Sequence, residues 1–256
     1  MSKKIVQLTL FSVFLLSVMV VISVVAQPRI VGVDAGDWFK YGDITVNWSS
    51  NDPNATFPPP YWEELAGWNE TEWMLSTVED VSGTNVTFQF IYHFKNGTET
   101  TESGYIDLDT GDGNMTYMAI SANLDAGDTV YTSEDYSGWQ INETIVRTYP
   151  DSVRDTNHIN MTSEYSMTIN ETEYYYYNSM NFYWDRESGV FVEDYFEGIN
   201  QTGEYTTTWS ALSRITESNV WVIPEFPTWT PMLLVFVILT VSIIVYKQRL
   251  LKSLIH

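Results

Sequence analysis

The stretch TNVTFQFIYHFKNGTETTESGYIDLD, residues 84–109, shows how this chain folds. Its first half alternates, with Val86, Phe88, Phe90 and Tyr92 on one side of an extended backbone. That period of two belongs to a strand with one buried face. Lys95-Asn96-Gly97 then interrupts it, and TETTESGYIDLD returns. Asn-Gly between two strand-like runs supplies the positive φ angles that a tight hairpin needs.

The same device recurs further along the chain. MNFYWDRESGVFVEDYF (residues 180–196) holds two aromatic runs around a turn at residues 185–189. ETIVRTY, INMTSEYSMTI and TEYYYYNSM are further strand candidates, rich in β-branched and aromatic residues. The Pro-rich segment at residues 51–73 reads as irregular, with one helical turn near residues 63–67. The predicted fold is all-β: mostly antiparallel meanders and hairpins forming a curved sheet, a sandwich or an open barrel in one domain of about 190 residues. DAGDWFKY (residues 34–41) and DAGDTVY (residues 125–131) share four letters, which suits either two related meanders or two Gly-Asp turns entering strands.

Outside this region the sequence changes character at both ends. Residues 1–26 open with Lys3 and Lys4, run apolar from Ile5 to Val25 and close on Ala26 before Gln27-Pro28. This pattern predicts a secretory signal peptide, with an uncleaved N-terminal membrane anchor as the alternative. Near the other end, residues 229–246 are eighteen residues without a charge, bracketed by Trp229 and Tyr246 and followed by Lys247, Arg249 and Lys252. At ~1.5 Å per residue such a helix spans roughly 27 Å, close to the ~30 Å hydrocarbon core of a bilayer. The expected organisation is therefore a signal segment (1–26), a β-rich ectodomain (27–221), a linker (222–231), a transmembrane helix (232–246) and a basic cytoplasmic tail (247–256). Cations at both ends place everything between them outside the cell membrane.

Composition agrees with that location. All 33 acidic residues fall within residues 27–228, against seven basic ones, a net charge of −26 there. Such a field repels polyanions, so no nucleic-acid partner is expected. Ten of the sixteen asparagines stand in N-x-[ST], where composition alone would produce about three. They are Asn47, Asn54, Asn69, Asn85, Asn96, Asn114, Asn142, Asn160, Asn170 and Asn200. Heavy N-glycosylation of an exported domain is the expectation. Cysteine is absent, which removes disulfides, thiol catalysis and thiolate metal sites from consideration.

Pro224-Glu225-Phe226, with Pro227 behind it, precedes the apolar run and the cations. This tripartite arrangement, over residues 223–252, resembles the PEF-type C-terminal sorting signals of archaeal surface proteins. The resemblance implies a tail that an archaeosortase recognises and cuts, joining the new end to a lipid. The tail also continues past its cations with Leu250, Leu251, Leu254 and Ile255.

Candidate chemistry inside the ectodomain is thin. Asp107, Asp109 and Asp112 alternate around glycines as in a calcium loop, but the spacing is shifted from that of an EF-type loop, and a solvated β-turn accounts for the same letters. His93 and His158 stand 65 positions apart, and no nucleophile, phosphate-loop or zinc signature occurs. No catalytic residue, no cofactor and no metal are assigned, and an enzyme is not expected. Aromatics make up 15% of the chain, and Tyr174 to Tyr177 place two tyrosines on each face of a strand. Either they fill a core or they form a surface or pocket for a sugar or a lipid. These features suit two functions. One is a membrane-anchored structural or interaction protein. The other is a surface-tethered binder of a hydrophobic or carbohydrate ligand.

Overall fold

The computed structural model describes residues 28–59, 62–150 and 152–221. The expected signal segment, the Pro224-Glu225-Phe226-Pro227 linker, the apolar C-terminal run and the basic tail all lie outside the described residues. No helix among the described residues is long and apolar enough to cross a membrane.

Nine antiparallel strands form a single open sheet: β1 (Trp38–Ser50), β2 (Thr71–Ser82), β3 (Asn85–Phe94), β4 (Glu99–Asp107), β5 (Glu143–Tyr149), β6 (Ser152–Ile169), β7 (Thr172–Asp185), β8 (Phe191–Thr202) and β9 (Tyr205–Ser218). Their spatial order is β4-β3-β2-β1-β9-β8-β7-β6-β5. Strands β1–β4 and β5–β9 are thus two meanders, joined edge to edge where β1 pairs with β9. Of the three expected architectures the chain adopts the single open sheet. A segment of 35 residues (108–142), with only a short 3-10 helix at Glu134–Tyr136, connects the meanders and crosses one face of the sheet.

The hairpin at residues 84–109 forms as its letters require. Val86, Phe88 and Phe90 are buried and Tyr92 is half-buried, all on one face. At the tip Gly97 takes φ +81°, and Asn96 Oδ1 accepts from the Thr98 amide (2.9 Å) and the Thr98 hydroxyl (2.7 Å). The β6–β7 turn uses Asn170 and Glu171, both at positive φ (49° and 67°), which suits the twist of a two-residue hairpin. Strand β6 starts at Ser152, seven positions before the expected run, because its polar beginning pairs with β5. The expected helical turn near residues 63–67 is a two-turn helix, α1 (Glu64–Glu70), and Thr71–Trp73 beyond it already belong to β2.

The two DAGD turns have the same hydrogen bonds. Asp34 N donates to Asp37 Oδ2 and Asp125 N to Asp128 Oδ2, each at 2.8 Å. Each glycine amide then docks on a neighbouring segment, Gly36 on Val78 O and Gly127 on Ile141 O. The exits differ: the first turn enters β1 directly, whereas the second reaches β5 only after the 3-10 helix. The shared feature is the turn, which precedes each of the two meanders.

The core lies between the sheet and its cover. Ile120, Val130, Tyr131 and Ile141 of the connecting segment pack with Phe39, Tyr41, Phe88, Phe90, Ile159 and Trp184 of the strands. Backbone bonds hold the cover down: Ile120 N to Gly189 O, Phe191 N to Met118 O, and Ala122 N to Ile30 O.

Candidate functional site

Helix α1 and the tryptophan before it present one apolar face. Trp62, Leu65 and Trp68 are spaced by three, which puts them on a common side, while Glu63, Glu64, Gly67 and Glu70 are exposed. Thr71 Oγ1 donates to Gly67 O at 2.8 Å and closes the helix end. The apolar side meets the inner face of the sheet at Phe196 (ring centroids 6.1 Å from Trp62 and 5.6 Å from Trp68) and at Trp209 (6.4 Å from Trp62).

Between this helix, the sheet and the connecting segment the packing stops short, leaving a cavity of about 440 Å³. Its floor is Met180 and Phe182 of β7, Phe191 and Phe196 of β8, Ile44 of β1, Met74 of β2 and Tyr92 of β3. Tyr117 and Met118 of the connecting segment form the far wall. Tyr117 is fixed there by stacking on Phe182 (5.3 Å, 8°) and Trp139 (5.2 Å, 23°), and its carbonyl accepts from Trp184 Nε1 at 2.8 Å. The size falls within the range of small-molecule pockets, and the lining is mostly apolar as in such pockets.

One acid points into this apolar space. Asp194 is 4% exposed, and Ser213 N donates to its Oδ1 at 3.0 Å. Among the described residues no side chain bonds to Oδ2 and no cation lines the cavity; Glu64 is the other acid there. Burial pushes the Asp194 carboxyl well above the usual carboxylate range, and the amides of Ser213 and of Asp194 itself oppose the rise only in part.

The outer face is built differently. Glu193, next in the chain, faces away from the cavity and is covered by Arg147 and Arg214, with Arg214 Nε 3.2 Å from Glu193 Oε2. These guanidiniums lie over Tyr183 and Tyr149 (4.3 and 5.0 Å). Arg154 grips the nearly buried Asp185 through two bonds of 2.7 and 3.0 Å. Both clusters are charge-paired, although Glu193 Oε2, Arg147 Nε and Arg214 Nε make no hydrogen bond among the described residues. His93 stacks on Trp73 (4.7 Å) beside Glu99 and Glu72, and His158 stacks on Tyr183 (4.4 Å) between Glu143 and Asn181.

The residues singled out in the sequence scatter over the surface. Asn47, Asn54, Asn85, Asn96, Asn114, Asn142, Asn160 and Asn170 are exposed, and Asn69 and Asn200 are half-buried. The Asp107 loop is a turn: Asp107 Oδ1 accepts from the Asp109 and Thr110 amides (2.8 and 3.3 Å), and Asp109 faces Arg29 at 3.6 Å. No group of three metal-ligating side chains comes together among the described residues. Of the four consecutive tyrosines, Tyr176 stands on the inner face near Trp209 (6.1 Å), and Tyr177 lines a shallow outer groove with Tyr195. Sequence reading missed Asp194, because the extra residue of a β-bulge near Tyr183/Trp184 breaks the alternation of FVEDYF. Compared with known protein families and with curated proteins, the chain matches none.

Proposed function

We propose that this chain is an extracellular, membrane-anchored and N-glycosylated protein that holds an apolar ligand between its sheet and helix α1. The observation that carries the reading is the cavity of about 440 Å³ lined by aromatic and methionine side chains. A domain that only needed stability would close such a space, since unfilled apolar volume weakens packing. Location rests on the acidic composition, the terminal apolar segments and the exposure of eight of the ten sequons.

The test is native mass spectrometry of the full-length protein purified from its own host. An apolar molecule should travel with the wild-type chain and be lost in Met118→Trp, which fills the cavity. Wild-type protein that carries no such molecule and takes up none when offered would overturn the reading in favour of a structural module.

An interaction role has its own support. Beyond the cavity, Tyr165, Met167 and Ile169 continue the inner face of β6 onto an exposed hairpin, each about half accessible. Such a strip suits a contact with another protein.

A further inference from the structure

We propose that Asp194 is the specificity determinant of the cavity, selecting an amphiphile whose apolar body ends in one neutral hydroxyl. This rests on the cavity-binding reading above and specifies the ligand class.

Geometry makes the case. Asp194 Oδ1 takes the Ser213 amide, which orients the carboxyl, and no side chain among the described residues bonds to Oδ2. Asp194 lines the cavity and is only 4% exposed, so its carboxyl meets whatever occupies that space. The lining is mostly apolar; besides Ser213 its polar members are Glu64, the hydroxyls of Tyr92 and Tyr117, and Thr71, whose hydroxyl is already given to Gly67 O. Among the described residues no cation lines the cavity to receive an anionic head, and a second carboxylate would meet two acids. A hydroxyl is the complementary group. It accepts the proton of a neutral carboxyl and donates its own hydrogen in return. Burial keeps the carboxyl in that neutral form. Of the other titratable groups near Asp194 on the sheet, Glu193 faces the opposite side against Arg147 and Arg214, and the Tyr41 hydroxyl already donates to Phe191 O at 2.7 Å.

The experiment uses the full-length chain in nanodiscs and three photoactivatable twelve-carbon chains, headed by an alcohol, a carboxylate or an amine. After irradiation, peptide mapping reads the label on the segments that carry Trp62, Met118 and Phe182. The alcohol should label these segments about tenfold more than the carboxylate at neutral pH, equivalent to ~1.4 kcal/mol. Asp194→Leu should erase that preference while leaving total labelling of the cavity in place. Equal labelling by alcohol and carboxylate, or a preference unchanged in Asp194→Leu, would overturn the role of Asp194 alone. Strongest labelling by the amine would also overturn it, making Asp194 a counter-ion. If none of the three chains labels the cavity segments, the cavity-binding reading itself fails. Asp194→Asn guards against misfolding: it keeps the shape, and it should retain part of the alcohol preference.

Discussion

Trp209 packs directly against Gly198 on the neighbouring strand, and a Cβ at Gly198 would stand 2.7 Å from its Nε1 and nearer still to the adjoining ring carbons. The bare backbone therefore lets the indole lie against Tyr176 and against Trp62, which lines the cavity. We predict that Gly198→Ala forces the ring aside and costs roughly 1–3 kcal/mol, as overpacking does. Urea unfolding followed by tryptophan emission measures this. A variant as stable as the wild type would show that the contact does not constrain Trp209.

Asp194 gives stability a pH dependence of definite sign. Burial raises its pKa in the folded state, so between the unfolded and folded values the folded chain keeps a proton that the unfolded chain has released. Stability is full below the ordinary aspartate range and falls as pH rises above about 4, by up to ~1.4 kcal/mol per pH unit until the folded pKa is reached. Glu193, also raised by burial, adds a slope of the same sign, reduced by Arg147 and Arg214. We predict that Asp194→Asn flattens the decline and is the more stable protein at pH 7. Denaturation midpoints at several pH values decide it, and parallel curves for the two proteins would sink the prediction.

Much of this fold is legible in the letters, for identifiable reasons. The 84–109 hairpin combines alternation with an Asn-Gly turn, and β5 and the 185–189 turn are marked by β-branched and aromatic runs and by turn residues, so local propensity and tertiary placement agree. Strands β2 and β9 are less visible because each buries polar side chains, Ser76 in one and Ser213 in the other. The cavity could not be read at all. It depends on where residues 108–142 cross the sheet and on a bulge that turns Asp194 inward, and neither leaves a periodic signal.

Exposure ranks the glycosylation sites. Asn96 stands at a hairpin tip with its Oδ1 tied to Thr98, leaving its Nδ2 without a partner among the described residues. Asn69 and Asn200 are half-buried, and Asn160 Nδ2 donates to Ser179 Oγ and Asn181 Oδ1 (3.0 and 2.9 Å). We hypothesise high occupancy at Asn96 and lower occupancy at Asn69, Asn160 and Asn200. Glycopeptide mapping of protein from its own host tests the order, and an unmodified Asn96 beside a filled Asn200 would reverse it.

The C-terminal tail supplies a test independent of the cavity. Trp221 is buried against Tyr149 (5.3 Å), only three positions ahead of Pro224 in the chain. Cutting at or beyond Pro224-Glu225-Phe226 would therefore leave every described core residue in place. The resemblance of this motif to a sorting signal implies a processing enzyme that reads it. The hypothesis is that Glu225 is read by such an enzyme. Glu225→Ala lies outside the apolar run, so a plain membrane anchor should tolerate it with no change in location and none in mass beyond the substitution itself. Under processing, the variant should instead retain residues 247–256, which mature wild-type protein lacks, while its unfolding curve stays that of the wild type. Mature wild-type protein carrying an intact tail rules processing out and leaves the segment as an anchor alone.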